Sequence, residues 1–180
     1  MPKKHSRKLK FLFILALLVL ATGCGTMKAK TGNTVKVDYL GTTEGKVFDT
    51  SIKEEAEKAG VYNDARDYAP LEFKVGAGQM IKGFDNAVLG MAVGEEKTVT
   101  LNPEEAYGSY NPELVKEVPL AALKAKDEMP KVGQRIQLMT NKGPLVGMVK
   151  EIKDTTIVLD FNPELAGKSL TFKIILRDVA

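Results

Sequence analysis

The chain has 180 residues, a formal net charge of +3, one histidine and one cysteine. A single cysteine excludes an intrachain disulfide, and the shortage of imidazole and thiolate groups excludes zinc and iron sites and triads built on His or Cys. We therefore expect neither a metal nor a cofactor.

The first 23 residues predict a secretory signal. Five Lys and Arg residues precede the apolar run 11–21, which is too short to span a bilayer. His5, the one histidine, lies within this segment. Without it the chain loses five positive charges and no negative ones, so the formal net charge falls from +3 to −2. No basic surface is then left to predict nucleic-acid binding.

Residues 20–24 (LATGC) resemble a lipobox, the site where lipoprotein processing attaches a diacylglyceryl group to cysteine and cleaves just before it. The alternative is that Cys24 is an ordinary free or buried thiol. Two acyl chains hold a protein stably on a membrane. The prediction is a protein anchored by lipid at Cys24 on the cell membrane, facing away from the cytoplasm.

The predicted elements begin after a tether at residues 24–32. Val35, Val37 and Tyr39 alternate with polar residues, which is typical of a half-buried strand. A hairpin turn at 44–45 and a strand at 46–49 follow. Ser51 and Glu54 form a predicted capping box for a polar helix that ends at Gly60.

A loop is predicted at 61–70, followed by a strand at 71–75. The segment 83–90, bounded by glycines, leaves room for two helical turns. Thr98–Leu101 alternates as a strand and ends at Asn102, which is predicted to cap a helix that begins with Pro103. A closing strand covers 170–174.

Residues 111–161 have enough apolar residues for a small core of their own and predict a second domain. A strand and short helix at 115–123 precede strands at 135–140, 145–152 and 156–160, with a turn at 141–144. The other domain then comprises 33–110 and 162–180.

Reactive chemistry finds little support in the sequence. The acidic pairs 95–96, 104–105 and 127–128 are adjacent in sequence, which in a strand points the two carboxylates to opposite faces. The glycines at 76 and 78 are not followed by the Lys and Ser or Thr of a phosphate-binding loop. An enzyme built from this chain has to work without a metal, a nucleophile or a histidine base.

Ordered blocks along the chain resemble the FKBP-type peptidyl-prolyl isomerases, in particular the SlyD-like branch with an insert-in-flap domain. They are VKVDY at 35–39, GKVFDTS at 45–51, PLEF at 70–73, GQMIKGFD at 78–85, LGM at 89–91, VGE at 93–95, AYG at 106–108, LAGK at 165–168 and LTF at 170–172. The resemblance covers essentially all of residues 33–177.

The resemblance implies an α+β fold: a bent antiparallel β-sheet around a short helix, with a small, mainly-β insert-in-flap chaperone domain at 111–161. It also implies a catalytic pocket between helix and sheet, with Phe84 as its floor and Asp49 as a polar group at its edge. The Tyr107 hydroxyl would hold a substrate carbonyl. The implied catalytic residues are Tyr39, Phe48, Asp49, Ile81, Phe84, Tyr107 and Phe172, with Leu71 and Met80 binding substrate. Without the resemblance, periodicity alone favours an ordinary core for these residues.

Two departures from the family pattern stand out. Phe84 occupies the position where many members have Trp, and 162–167 read NPELAG where SlyD-like proteins usually have His-Pro after the Asn. Within the sequence given, no His- and Cys-rich tail carries over the nickel binding of bacterial relatives.

The insert carries apolar residues suited to unfolded partners: Leu138, Val146 and Met148 are the predicted substrate-binding set, beside Met139 and Leu145. The alternative is a small buried core. The function expected is a monomeric isomerase and folding chaperone acting on X-Pro bonds of unfolded or exported polypeptides. The rivals are a holdase chaperone and a peptide-binding lipoprotein, both without significant turnover.

Overall fold

A computed structural model describes residues 27–123, 129–141 and 143–180. The predicted signal segment and Cys24 lie outside these ranges, as does Lys142 of the predicted turn. In the part of the chain that is described, no helix has the length and apolar character needed to cross a membrane.

The described residues form nine strands and two α-helices, together with three short 3-10 turns. The helices are α1 (Lys53–Ala59) and α2 (Lys82–Val88). The strands are β1 (Thr34–Thr43), β2 (Lys46–Thr50), β3 (Leu71–Lys74), β4 (Glu96–Leu101), β5 (Val115–Pro119), β6 (Arg135–Thr140), β7 (Gly143–Ile152), β8 (Thr156–Asp160) and β9 (Leu170–Val179). The α+β class and the antiparallel sheet predicted from the sequence are confirmed.

The larger sheet is antiparallel, with strand order β2-β1-β9-β4, and β3 pairs with the other half of β1. One edge of β1 therefore changes partner along its length, from β3 at Thr34–Val37 to β2 at Leu40–Thr43. Register shifts at Lys36/Val37 and Gly41/Thr42 accompany this change. Because bulges bend a strand and increase its twist, β1 bends at these two positions.

The core of this sheet follows from the alternation in β1. Val35, Val37 and Tyr39 are buried on the face that α2 covers, where Phe84 and Val88 are also buried. Helix α2 has only seven residues, so its packing rather than its own propensity holds it in place.

Gly83 allows α2 to lie close to β4. A Cβ at this position would stand 2.5 Å from Leu101 Cδ2 and 3.1 Å from Glu105 Cβ. The glycine is therefore needed for close approach, and its φ requires no special conformation.

The predicted capping box at Ser51 and Glu54 is wrong. Ser51 is buried, its Oγ accepts a hydrogen bond from the Tyr39 N–H at 3.0 Å, and it donates to Asp38 Oδ1 at 3.1 Å. Helix α1 begins at Lys53 without a side-chain cap. The Ser51 hydroxyl thus bonds to β1 and not to the first turn of α1, which the local sequence had predicted.

The cap predicted at residues 102–105 is confirmed, although the element is a 3-10 turn, Pro103–Glu105, and not an α-helix. The Glu105 carboxylate accepts a hydrogen bond from the Asn102 N–H at 3.2 Å, and Pro103 occupies the first position of the turn. This turn leads the chain from β4 toward Tyr107.

The smaller sheet has the order β5-β8-β7-β6 and lies within residues 115–160. Val149, Ile157 and Leu159 are its buried centre. Strand β7 begins at Gly143, two residues before the predicted start, because Thr140 and Gly143 already pair in a tight hairpin. Asn111 and Asn162 stand where the chain leaves and returns, and Asn162 Nδ2 donates to the Asn111 carbonyl at 2.9 Å.

The described part of the predicted tether packs into the core beneath the larger sheet. Ala29 is 1% exposed, its N–H donates to the Met91 carbonyl at 2.9 Å, and its carbonyl accepts from the Gly90 N–H at 2.8 Å. The chain is thus held against this core from Ala29 onward.

Candidate functional site

One cavity of about 190 Å³ lies between α2 and the concave face of the larger sheet. It is lined by residues from β1, β2, β3, α2, β9 and the loops before α2 and after β4. All nine of the residues that the sequence assigned to the pocket lie around it, and Gln79 is a tenth that the sequence analysis missed: Tyr39, Phe48, Asp49, Leu71, Gln79, Met80, Ile81, Phe84, Tyr107 and Phe172.

Phe84 is the floor of this cavity and is 3% exposed. Its ring meets Tyr39 edge-on at 5.8 Å between centroids and Phe172 at 5.2 Å, with interplanar angles of 85° and 80°. Phe48 meets Phe172 in the same way at 5.7 Å. Edge-to-face contacts of this kind fix the rings, so the walls are rigid and apolar.

Gly41 makes room for the wall formed by Phe48. A Cβ on Gly41 would lie 2.7 Å from Phe48 Cζ and 3.0 Å from Phe172 Cε1. The position reads in the sequence as a strand glycine, which can mark the close approach of another group. That signal was present, but only the ring positions identify the group.

The polar edge of the cavity is a network of Tyr39, Asp49 and Arg66. The Tyr39 hydroxyl donates to Asp49 Oδ2 at 2.6 Å and accepts from Arg66 Nη2 at 2.9 Å, while Arg66 Nη1 donates to Asp49 Oδ1. The hydrogen bond that Arg66 donates to Asp49 holds the pKa of the guanidinium above its ordinary value. Asp49 is thus paired with a cation and oriented where the pocket meets solvent.

Arg66 was missed by the sequence analysis. It lies in the loop between α1 and β3, which has no periodic pattern, and its partner Asp49 is 17 residues away. Nothing in the local sequence distinguishes it from a solvated surface arginine.

The Tyr39 phenol gives a pH-dependent prediction. Burial, followed by the hydrogen bond to Asp49, raises the pKa of Tyr39 from 10.0 to about 12, against the opposing effect of Arg66. The folded protein therefore holds this proton more tightly than the unfolded chain. The contribution of this phenol to the free energy of unfolding is fully present below pH 10 and is lost as pH rises from about 10 to about 12.

We expect Tyr39→Phe to flatten this alkaline loss. Urea unfolding midpoints measured from about pH 9 to about pH 12 should fall more steeply for the wild type than for the variant. The comparison uses slopes because the substitution also removes two hydrogen bonds and lowers stability at every pH. Equal slopes would contradict a buried, proton-retaining Tyr39.

Asp85 is the one acid in the stretch 76–94, and it binds the backbone of that stretch. It is 8% exposed, and its two carboxylate oxygens accept from the Gly76 N–H at 2.9 and 3.0 Å. The Gln79 Oε1 accepts from the Lys74 N–H at 2.7 Å in the same loop. These bonds fix the loop that carries Met80 and Ile81 into the cavity.

Tyr107 stands at the mouth of the cavity and is 44% exposed. Among the described residues none hydrogen-bonds with its hydroxyl, in contrast to the paired Tyr39 hydroxyl. A donor of this kind, next to an apolar hollow, is suited to a carbonyl group of a bound molecule.

No group of three or more His, Cys, Asp or Glu side chains that could hold a metal is found in ranges 27–123, 129–141 and 143–180. The cavity itself is lined by one carboxylate, already paired with Arg66, and otherwise by apolar and neutral polar side chains. The arrangement can bind and enclose an apolar group and can position a polar chain at its edge.

The three residues predicted in the insert lie in two places. Val146 and Met148 line a cleft of about 540 Å³ between the smaller sheet and the returning chain, beside Tyr110 and Arg135. Leu138 instead packs, half-buried, against the small core of Val149, Ile157 and Leu159. Adjacent positions of a strand face opposite sides, so these residues do not form one surface.

An antiparallel sheet packs on a short helix, and between them lies a rigid aromatic cavity with the exposed Tyr107 phenol at its mouth. A protein built in this way can enclose a compact apolar ring, such as that of proline. The peptide groups on either side of the ring then stay at the edge of the cavity. The sequence matches the family of FKBP-type peptidyl-prolyl cis-trans isomerases over residues 25–175. The chain belongs to this family, whose reaction is the cis–trans isomerisation of the peptide bond before proline.

Relatives agree with this assignment. The chain is 46% identical over 150 residues to the short-type peptidyl-prolyl cis-trans isomerase of Methanocaldococcus jannaschii, a match that covers 83% of this chain and 93% of that protein. It is 33% identical over 126 residues to a probable FKBP-type 16 kDa isomerase of Pseudomonas fluorescens, covering 68% and 81%. It is 39% identical over 105 residues to the isomerase SlyD of Pasteurella multocida, covering 58% of this chain and about half, 52%, of SlyD.

Proposed function

We propose that this protein isomerises X-Pro bonds of unfolded polypeptides outside the cytoplasm, with the proline ring seated on Phe84. The observation that carries the proposal is the convergence of five secondary-structure elements and two loops on one cavity of about 190 Å³ with rigid aromatic walls. The family reaction needs a site of this character and no reactive group.

Rotation about the X-Pro bond has a barrier of about 18 to 20 kcal/mol because amide resonance must be broken. The planar amide is strongly polarised, and water stabilises it by hydrogen bonding. The twisted transition state is less polarised and loses less when water is removed. A dry cavity therefore favours the twisted form, which is differential binding. Lowering the barrier by about 4 kcal/mol accelerates the step roughly a thousandfold.

In this mechanism Tyr39, Phe48, Ile81, Phe84 and Phe172 form the apolar walls, and Leu71 and Met80 contact the residues beside proline. The Tyr107 hydroxyl donates to a carbonyl of the substrate. Asp49, held by Arg66 and by the Tyr39 hydroxyl, gives the edge a fixed polar group without a free charge.

Turnover of a short proline peptide by Tyr107→Phe tests this mechanism. The variant keeps the ring and loses the hydroxyl, so kcat/KM should fall about tenfold, the value of one hydrogen bond of about 1.4 kcal/mol. Ser109→Ala is the matched control, because it removes a neighbouring hydroxyl that donates to Glu104 at 2.9 Å outside the cavity. Equal rates for both variants and the wild type would remove Tyr107 from the mechanism.

The insert, residues 111–161, is proposed as an insert-in-flap chaperone unit that captures unfolded chains and presents them to the cavity. One face of the β6–β7 hairpin exposes large apolar residues: Met139 is 72% exposed and Val146 54%. Flexible Met side chains suit varied partners. Val146 and Met148 contact the captured chain in this proposal, and Leu138 supports the strand from within.

The exposed apolar side also favours the rival function, a holdase chaperone without significant turnover. The two differ in one measurement. A holdase suppresses aggregation and leaves the rate of a proline-limited refolding reaction unchanged, whereas the isomerase accelerates that reaction at catalytic concentration. A preference for one peptide sequence over many unfolded proteins would instead indicate a dedicated peptide-binding lipoprotein.

We further propose that the protein is a monomer anchored through lipid at Cys24 to the outer side of the cell membrane. The chain enters the domain beside the Val35–Val179 end of the β1–β9 ladder, whereas the cavity lies by the Gly41–Phe172 end. The two ends are six residues apart along β1, or about 20 Å at 3.3 Å per residue. The described chain thus enters at the opposite end of the ladder from Phe172, which supports an anchor that leaves the cavity accessible.

Metabolic labelling with a fatty-acid probe tests the anchor. The wild type should carry the probe and Cys24→Ala should not, with the variant released from the membrane fraction. Sedimentation of the detergent-solubilised protein tests the monomer. Label on Cys24→Ala, or none on the wild type, would overturn the anchor without bearing on the isomerase.

A further inference from the structure

The loop that supplies Arg66 to the cavity has neither helix nor strand over residues 61–70, yet the guanidinium has two defined partners there, Asp49 and the Tyr39 hydroxyl. The Arg66 side chain is 38% exposed. A long exposed side chain loses rotamer entropy when it is held in one position, so some contact has to favour that position.

A stack of four side chains provides this contact. The rings of Tyr62 and Tyr68 lie 5.4 Å apart between centroids with an interplanar angle of 15°. Lys53 Nζ lies 5.6 Å from the Tyr62 centroid, and Arg66 Cζ lies 5.3 Å from the Tyr68 centroid. Both distances are within the range at which a cation is attracted to the face of an aromatic ring. We call this group the tyrosine clamp (Lys53, Tyr62, Tyr68 and Arg66).

The clamp is tied to the loop backbone and to α1. The Tyr68 hydroxyl accepts from the Asn63 N–H at 3.0 Å, and the Asn63 carbonyl accepts from the Arg66 N–H at 3.1 Å. Lys53 is the first residue of α1, which follows directly on the strand that carries Asp49. The loop is thereby closed around the two rings, and Arg66 leaves it on the side of the cavity.

We infer that Tyr68 is a positioning residue of the isomerase site, which acts by holding the Arg66 guanidinium against Asp49 and Tyr39. The inference rests on the proposed function of the cavity. Tyr62 stacks on Tyr68, and Lys53 in turn lies over Tyr62. The face of an aromatic ring offers the planar guanidinium a flat surface that fixes its orientation. The polar edge of the cavity is therefore ordered before a substrate binds.

A double-mutant cycle on a short proline peptide tests the inference. Tyr68→Leu removes the ring face and should lower kcat/KM by about two- to fivefold, the range of an exposed cation–π contact. Tyr68→Phe keeps the ring face and loses only the hydrogen bond from the Asn63 N–H, so its kcat/KM should lie between those of the wild type and Tyr68→Leu. In the Arg66→Met background Tyr68→Leu should have no further effect, because the two residues then act as one unit.

The same loss in both backgrounds would overturn the inference, since Tyr68 would then act without Arg66. So would an unchanged kcat/KM for Tyr68→Leu. The side-chain nitrogen signals of Arg66 in the NMR spectrum give a second readout that needs no turnover: slow hydrogen exchange in the wild type and in Tyr68→Phe, and fast exchange in Tyr68→Leu. Slow exchange in Tyr68→Leu overturns the clamp, whereas an inactive wild type overturns only the proposed function.

Discussion

Removal of the insert is expected to separate the two activities: catalysis of proline-limited protein refolding should fall about 100-fold, while kcat/KM for a short proline peptide stays within about twofold. The ten residues that line the cavity all lie outside 111–161, so the chemical step keeps its walls. A protein substrate loses its second binding site and with it an effective concentration, which is commonly worth a factor of about 100 or more.

The structure shows where to make the deletion. The Asn111 N–H donates to Asn162 Oδ1 at 2.9 Å and Asn162 Nδ2 donates back to the Asn111 carbonyl, so the two ends are already adjacent. A short Gly-Ser turn can replace residues 112–161. The Gly167 N–H still donates to the Gly108 carbonyl at 2.8 Å and closes the loop behind this turn.

A point variant in the intact chain is the matched control for the deletion. Met139→Ser with Val146→Ser makes this exposed face of the β6–β7 hairpin polar and leaves the small core untouched, because both side chains are exposed. We expect a partial loss on protein substrates and none on the peptide. If the deletion lowers both activities equally, the insert stabilises the cavity and the capture proposal is wrong.

Much of the fold could be predicted because local patterns of apolar residues and glycines indicate where strands and helices begin and end. The alternation of Val35, Val37 and Tyr39 predicts a strand with one buried face, and the two glycines around 83–90 limit α2 to two turns. The site could be predicted only through the resemblance to a family, since aromatic residues with strand periodicity are as consistent with a core as with a pocket.

What could not be predicted depends on contacts between distant residues. Ser51 has the spacing of a helix cap, but its hydrogen bonds go to β1, twelve and thirteen residues earlier. Arg66 reaches Asp49 only because an irregular loop closes around Tyr62 and Tyr68. The need for glycine at Gly41 appears once the Phe48 ring is placed. In each case a tertiary contact decided between local alternatives of similar energy.

Phe84→Ala is expected to lower the free energy of unfolding by about 3 to 5 kcal/mol, the usual cost of deleting a fully buried phenylalanine ring. The ring is 3% exposed and touches Tyr39, Phe73 and Phe172 at centroid distances of 5.8, 5.9 and 5.2 Å. Since domains of this size have about 5 to 15 kcal/mol in total, the variant should unfold at much lower urea concentration.

Phe48→Ala is the matched comparison, because it deletes the same ring from the wall of the same cavity. Phe48 is only partly buried, and among the described residues its one ring contact is with Phe172 at 5.7 Å. We expect a smaller stability loss than for Phe84→Ala, together with a fall in kcat/KM measured well below the unfolding midpoint. The two variants would then separate two roles within the aromatic cluster. Phe84 joins helix to sheet and mainly stabilises the fold, while Phe48 mainly shapes the space that the proline ring occupies. A stability loss for Phe48→Ala as large as that for Phe84→Ala would remove this division.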